Sequence, residues 1–132
     1  MYKNILTDHD SGYMAKEQAI PQNATADGNG VVQDFSGMQS KMEAVAVVAS
    51  DIVLADTKTI TVKLQESDDG QTYSDAGVVF THTASGETTF SAGDILGRFT
   101  PSVDAKPYTK AVLYSDDPAV TGSVSVKVGI LP

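Results

Sequence analysis

The residues with the clearest potential for chemistry are Asp68, Asp69 and Gly70, which follow a stretch of alternating apolar and polar side chains. Neighbouring carboxylates are ligands that calcium prefers, so this turn could hold a cation. A calcium loop of the EF-hand type needs acidic or amide residues at alternate positions and a later glutamate, and the run from Asp68 lacks that order. Asp-Gly between two alternating runs is instead typical of a hairpin. We therefore predict a hairpin at this turn, with a hairpin that also binds a cation as the alternative.

The other motifs that could carry chemistry are equally poor in ligands. Asp27-Gly28-Asn29-Gly30 has too few oxygen donors for a calcium loop, and no Gly-Lys-Ser/Thr follows to make it a phosphate loop. Asp8-His9-Asp10 consists of chain neighbours that cannot converge on one ion from an extended backbone, and His82 is interpreted as a structural residue. No serine lies in a Gly-x-Ser-x-Gly elbow. We predict no metal site, no cofactor and no catalytic residue.

The elements that must position these residues are read from the hydrophobic pattern. Short runs with a period of two predict β-strands, and Gly, Pro, Asp and Ser clusters separate them. The run from Met42 to Ala49 is apolar on both faces apart from Glu43, which predicts a strand covered on both sides. The predicted strands are 31–35, 42–49, 59–65, 78–82, 88–90, 95–100, 110–114 and 123–130. Of these, 95–100 is ambiguous between a strand and a helical turn.

About eight short strands without alternating helices predict an all-β fold, a jelly-roll-like antiparallel β-sandwich over residues 31–132. An immunoglobulin-like sandwich stays open as an alternative, because periodicity does not separate the two. Residues 1–30 show no regular apolar stripe and are predicted to form an extended N-terminal arm. A short helix from Met14 to Ala19 is the alternative there, since Ala, Lys, Glu and Gln favour helices.

Charge and composition exclude several classes of partner. Asp and Glu number 17 against 9 Lys and Arg, which gives a formal net charge of -8, and no two basic residues are adjacent. Nucleic-acid binding needs a basic stripe, and anionic membranes also attract basic clusters, so we expect neither partner. The chain has no cysteine, which excludes disulfides. The first residues do not continue into an apolar run of signal-peptide length, so we expect synthesis in the cytoplasm.

Contacts with another chain are predicted for two groups of residues. Isolated large side chains on the arm must pack against the body or against another subunit. The strand that is apolar on both faces suits a subunit interface. The predicted contact residues are Tyr2, Ile5, Leu6, Tyr13, Ile20, Val45 and Val47.

Several segments together carry a family resemblance. They are "NGVVQDFSG" (29–37) after a polar arm, "MEAVAVVA" (42–49), "KTITVKLQESDDGQTYSDAG" (58–77) and "TGSVSVKVGIL" (121–131). In these the chain resembles the small cement, or decoration, proteins of tailed bacteriophages, in particular the jelly-roll type found in a Bordetella phage and its relatives.

The resemblance implies a protein without catalysis. It implies a clip on the outside of an assembled capsid that bridges major capsid subunits and forms a homo-oligomer, a dimer or trimer. The expected location is therefore the capsid exterior of a virion, after synthesis in the host cytoplasm. Two alternatives remain: another phage tail or head assembly protein, and a carbohydrate-binding β-sandwich module, against which the absence of Trp argues.

Overall fold

The computed structural model of the chain describes residues 12–36, 42–102 and 104–130. Nine β-strands and no α-helix are found in these ranges. In chain order the strands are β1 (Tyr13–Ala19), β2 (Ala24–Asp27), β3 (Met42–Leu54), β4 (Thr59–Ser67), β5 (Ser74–Thr83), β6 (Thr88–Phe90), β7 (Ile95–Phe99), β8 (Tyr108–Ser115) and β9 (Thr121–Ile130). No helix long and apolar enough to cross a membrane occurs in the described part of the chain.

The strands form two antiparallel sheets, which we call sheet A and sheet B. Sheet A has the order β1-β9-β3, and β6 and β7 both pair with the remaining edge of β3. Sheet B has the order β2-β8-β4-β5. The pairs are nested, because β1 joins β9, β2 joins β8, β3 joins β6 and β7, and β4 joins β5. This nesting is a jelly roll in which β6 and β7 share one strand position, so the predicted all-β sandwich is confirmed.

The core lies between the two sheets and follows from the alternation of side chains along each strand. On β4, the side chains of Ile60, Val62 and Leu64 point inward and are fully buried, as the sequence pattern predicts. Burial of each large aliphatic side chain stabilises the fold by about 1.5–3 kcal/mol. Sheet A contributes the facing set Ala44, Ala46, Val48, Val124, Val126 and Val128.

One side of the sandwich is closed where β7 of sheet A lies against β5 of sheet B. Gly97 approaches β5 so closely that a Cβ at this position would overlap the carbonyl oxygen of Val79. The ring of Phe99 lies over Gly77 in the same region. Glycine is required at position 97 because only a residue without a side chain permits this approach of two backbones.

The opposite side is closed by residues 28–33, which follow β2. The N–H groups of Gly30 and Val31 donate to the carbonyl oxygens of Met14 (3.0 Å) and Tyr13 (2.8 Å) on the outer edge of β1. Gln33 exchanges two backbone hydrogen bonds of 2.8 Å with β8. The outer edge of β1 is therefore covered at its start, which removes a surface for strand addition.

Residues 13–27, predicted as part of an extended arm, instead supply β1 and β2, one strand to each sheet. Met14 and Ile20 are only 2% and 4% exposed and belong to the core. The helix considered for Met14 to Ala19 is wrong, because β1 pairs with β9. A left-handed residue, Glu17 (φ 46°), accompanies a shift of register in β1 and breaks the alternation that would identify a strand. Residues 1–11 lie outside the described ranges, so the arm remains a prediction for them.

Two further strand predictions are decided by the structure. The strand predicted at 31–35 is wrong, since only Gln33 makes a bridge, and Val31 and Val32 are 47% and 43% exposed. The ambiguous segment at 95–100 is a strand, β7. β3 also extends beyond its predicted end to Leu54, through the exposed pair Ser50 and Asp51.

Candidate functional site

The predicted hairpin at residues 68–70 joins β4 to β5, and Asp69 holds it together. One carboxylate oxygen, Oδ1, accepts hydrogen bonds from the N–H groups of Gln71 (2.8 Å) and Thr72 (3.0 Å) and from the Ser67 hydroxyl (2.9 Å). These donors, the Gln71 N–H first, lower the pKa of Asp69 to about 2. The turn is thus built by its own aspartate.

Other aspartates of the described chain serve in the same way. Their carboxylates accept backbone N–H groups. Within one turn, Asp34 accepts from Ser36, Asp94 from Ser91 and Asp117 from Ala119. Between segments distant in the chain, Asp51 accepts from Ala92, Asp56 from Gly86, Asp116 from Thr59 and Asp117 from Ala55. Three more form ion pairs, namely Asp27 with Lys110, Asp68 with Lys106 and Asp75 with Lys63. Within the described ranges, no group of three or more His, Asp or Glu side chains is arranged to hold a metal ion.

His82 has a packing role in the fold. Its ring stacks on Phe80 at 6.4 Å between centroids and meets Phe90 edge to face at 5.5 Å. Phe80 and Phe90 pack against the core, so the three rings extend it toward the end of β5. His9 lies outside the described residues.

The structure brings three of the predicted contact residues onto one surface. Tyr13, Val45 and Val47 are half-buried and lie on the side of sheet A that faces away from the core. We call this side the sheet-A outer face. Ile20 is in the core, so its side chain is not available to another chain in this fold. Tyr2, Ile5 and Leu6 lie outside the described residues.

Strand register assembles the sheet-A outer face from distant parts of the chain. Tyr13 lies opposite Lys127, which lies opposite Val45, which in turn lies opposite Arg98. One row of side chains therefore crosses four strands, β1, β9, β3 and β7. Arg98 forms an ion pair of 2.7 Å with the buried carboxylate of Glu43, so this end of the row is held in place.

Tyr13 is the centre of a small cationic cluster on this face. The Nζ atoms of Lys16 and Lys127 lie 5.3 Å and 6.0 Å from the centroid of the Tyr13 ring. Both distances fall within the range of cation–π attraction. Two ammonium groups consequently lie close to one aromatic ring, although the chain as a whole is acidic.

A shallow groove of about 450 Å³ opens beside this cluster, and we call it the sheet-A groove. It is lined by Tyr13, Glu17, Val47, Ser123, Ser125 and Lys127, among others. The hydroxyls of Ser50 and Ser123 are hydrogen-bonded at 2.7 Å, and Ser125 Oγ accepts the N–H of Glu17 at 2.9 Å. The groove therefore combines an aromatic ring, an apolar wall, fixed hydroxyls, one ammonium group and one carboxylate.

The outer face of sheet B is different in chemistry. Thr25, Tyr114, Thr61 and Thr81 form one row across its four strands, which we call the hydroxyl row. The Thr61 and Thr81 hydroxyls are bonded at 2.9 Å, and a neighbouring pair, Thr59 and Thr83, at 2.8 Å. The four side chains of the hydroxyl row are uncharged.

Sequence reasoning did not identify Lys16, Ser125 and Lys127 as site residues. Ser125 and Lys127 were visible as the polar side of the last strand, but nothing in the sequence indicated which strands would flank it. Neither a protein-family model nor the sequence of a curated protein matches this chain. Its function must therefore be argued from the surfaces described above.

Proposed function

We propose that this protein is a structural virion protein that binds the outside of an assembled phage capsid and stabilises it by bridging major capsid subunits. The observation that carries the proposal is the sheet-A outer face, where Tyr13, Val45 and Val47 meet on one rigid surface. Aromatic and aliphatic side chains in a fixed arrangement are typical of protein interfaces. The family resemblance of the sequence points to the capsid as the partner.

The use of the acidic groups supports a binding role over a catalytic one. Most carboxylates of the described residues accept backbone N–H groups or form ion pairs, so their oxygens serve the fold. A general acid or base instead needs a pKa near neutrality and access to a substrate. In the proposed role the protein uses no cofactor and binds neither nucleic acid nor membrane.

The architecture suits a protein that bridges neighbouring capsid subunits. Two sheets that are closed on both sides resist deformation, so a load applied to one outer face is carried by the whole sandwich. The proposal includes a homo-oligomer, a dimer or trimer, which would place several such faces on neighbouring capsid subunits. The protein would be made in the host cytoplasm and added to the capsid exterior.

The test is whether the protein is part of the virion. Virions are purified from a strain that carries the gene, and the protein is quantified against the major capsid subunit by mass spectrometry. We expect a fixed ratio of copies, and immunogold labelling of intact particles on the head. Label on the tail would favour the alternative of a tail assembly protein. Absence of the protein from virions would overturn the proposal.

A second candidate function is a carbohydrate-binding module, and the hydroxyl row favours it. A row of threonine hydroxyls beside the exposed ring of Tyr114 offers hydrogen bonds and stacking to a neutral glycan. A glycan array with the wild type and Tyr114→Ala distinguishes the two. Specific binding that this substitution removes would favour the module.

A further inference from the structure

The step from Asn29 to Gly30 lies in the segment that closes the sandwich beside β1, and the proposed function makes no use of it. Of the three asparagines in the chain, Asn29 is the one that precedes a glycine. Asparagine loses its side-chain amide most readily before glycine, because a residue without a side chain leaves its backbone nitrogen open to the neighbouring amide carbon. Both residues are exposed, so water reaches them. The step therefore has the sequence and the access that deamidation needs.

The side chain of Asn29 takes the place of a peptide group at the edge of β1. Its Oδ1 accepts the N–H of Lys16 at 2.8 Å, and its Nδ2 donates to the carbonyl oxygen of the same residue at 3.2 Å. Because a backbone N–H needs an acceptor and a carbonyl oxygen needs a donor, these two partners fix the orientation of the amide. The side chain thus pairs with β1 as a neighbouring strand would.

The backbone of the same step is also held against β1. The N–H of Asn29 donates to Oε1 of Gln18 at 2.8 Å, and the N–H of Gly30 donates to the carbonyl oxygen of Met14 at 3.0 Å. A Cβ at position 30 would overlap the carbonyl oxygen of Tyr13, so the closure requires glycine there. The residues that make the closure fit are therefore the ones that create the reactive sequence.

Deamidation uses the groups that the closure holds. The Gly30 nitrogen loses its proton and bonds to Cγ of Asn29, the bond from Cγ to Nδ2 breaks, and the amide leaves as ammonia. Water then opens the resulting succinimide ring at one of its two carbonyl carbons, which gives aspartate or isoaspartate. In the closed segment the Gly30 N–H is bound to Met14 and the amide is bound to Lys16. The reaction therefore requires the segment to leave β1, as local opening allows.

Neither product fits the closed segment. An aspartate at position 29 would place a carboxylate oxygen where Nδ2 now donates, so that two acceptors would face each other at the carbonyl of Lys16. An isoaspartate would add a methylene group to the backbone before Gly30 and displace its N–H from Met14. In both cases the edge of β1 would be left with unpaired backbone groups.

We propose that Asn29 is a deamidation site gated by the closure. The asparagine persists while residues 28–33 lie on β1, it reacts when they open, and the product prevents them from closing again. This proposal depends on the contacts of the closure and not on the proposed function.

The first experiment measures the rate of deamidation in the full chain, folded and in urea, in the same mildly alkaline buffer. Peptide mapping by mass spectrometry follows the conversion of Asn29, and Asn23, which precedes alanine, is the internal control. We expect conversion of Asn29 in urea and conversion about tenfold slower, or slower still, in the folded chain. Equal rates in the two states, or an Asn29 that is not converted in urea, would overturn the proposal.

Two glutamine variants distinguish local opening from global unfolding. Gln18→Ala removes the acceptor for the N–H of Asn29 and a hydrogen bond of 2.9 Å to the carbonyl oxygen of Asp27, without changing a reacting atom. We expect it to speed the folded-state reaction about fivefold. The matched control Gln22→Ala removes a hydrogen bond of 2.9 Å to the carbonyl oxygen of Val120 and should leave the rate unchanged. Equal acceleration by both variants, or none by Gln18→Ala, would contradict gating by the closure.

The variant Asn29→Asp tests the effect of the product. Hydrogen exchange of the Gly30 and Val31 amides, which donate to β1, should be about fivefold faster or more than in the wild type. The control Asn23→Asp makes the same chemical change outside the closure and should not alter these two amides. Thermal unfolding verifies that both variants fold. Unchanged protection in a folded Asn29→Asp variant would show that the product closes normally, and the proposal would fail.

Discussion

Aspartate residues show how the acidity of this chain is used. Asp117 is an example, since its buried carboxylate accepts the N–H of Ala55 at 2.9 Å and that of Ala119 at 2.8 Å, which joins two loops. A backbone N–H left without an acceptor in such a place would cost about 1–3 kcal/mol. The same short side chain that makes aspartate a calcium ligand makes it a turn former. A high count of aspartates in a loop-rich β protein therefore does not by itself indicate a cation site.

Asp69 provides a prediction that depends on pH. Its pKa in the folded state is about 2, lowered from 3.8 chiefly by the N–H groups of Gln71 and Thr72. A lowered pKa means that the ionised form stabilises the fold above pH 3.8, and that this contribution is lost as the pH falls toward 2. We expect the carboxyl carbon of Asp69 to titrate in NMR with a midpoint near 2.

The variant Asp69→Asn tests the same point through stability. The difference in unfolding free energy between wild type and variant should shrink as the pH is lowered from 4 to 2, because the wild type loses its ionised acceptor. A carboxyl midpoint near 3.8, together with a difference that does not depend on pH, would show that the turn N–H groups do not stabilise the ionised form.

The site residues themselves could be predicted only in part. Tyr13 stood out as an isolated large side chain on the predicted arm, and Val45 and Val47 as part of a strand that is apolar on both faces. The three do share a surface. Lys127 joins them only because β9 lies between β1 and β3, and that arrangement depends on pairing between residues far apart in the chain. Local periodicity carries no information on strand order, so the cluster could not be predicted.

At the scale of elements, strands with clean alternation were predictable. β4, β6 and β9 were found close to their observed bounds because their inward residues are β-branched, aliphatic or aromatic and their neighbours are polar. β1 was missed because it is rich in good helix formers and contains a register shift near Glu17. Its pairing with β9 overrides the local preference, as tertiary contacts often do.

The closure between β5 and β7 gives a prediction for glycine. In Gly97→Ala, the added methyl group would meet the backbone carbonyl of Val79, which can move only if a strand moves. In Gly77→Ala, it would meet the side-chain ring of Phe99, which has more freedom to shift. We expect Gly97→Ala to lower the free energy of unfolding by about 3 kcal/mol and Gly77→Ala by about 1–2 kcal/mol, as measured by urea denaturation.

The comparison of the two glycine variants serves as its own control, since both changes add one methyl group to the same side of the sandwich. Equal and small losses for both would mean that β5 and β7 separate easily. In that case the two sheets would not be closed on this side, and the rigidity assumed for a capsid clip would lose support.

At the scale of the whole molecule, nested pairing ties the beginning of the described chain to its end. β1 pairs with β9 and β2 pairs with β8, so the first two strands lie beside the last two. Such long-range pairing makes the sandwich a single cooperative unit, because removal of either end leaves its partner strand with an unpaired edge. A division of the chain at residue 30 into arm and body cuts through this unit.

Deletion of residues 1–28 is therefore predicted to destroy the fold. It removes β1 and β2 and takes Met14, Ala15 and Ile20 out of the core. Burial of each of the two larger side chains stabilises the fold by about 1.5–3 kcal/mol. The total stability of a domain is only about 5–15 kcal/mol. We expect no cooperative urea transition for this deletion. Deletion of residues 1–11, which touches no described strand, is the control and should retain a transition with a similar m-value. A cooperative transition in the longer deletion would make residues 31–132 an independent domain, as the sequence pattern predicts.

The part played by Tyr2, Ile5 and Leu6 in self-association has to be measured on the shorter deletion, because the longer one is expected to unfold. Light scattering gives the mass of the shorter deletion in solution. A loss of mass relative to the full chain would place the oligomer contact before β1.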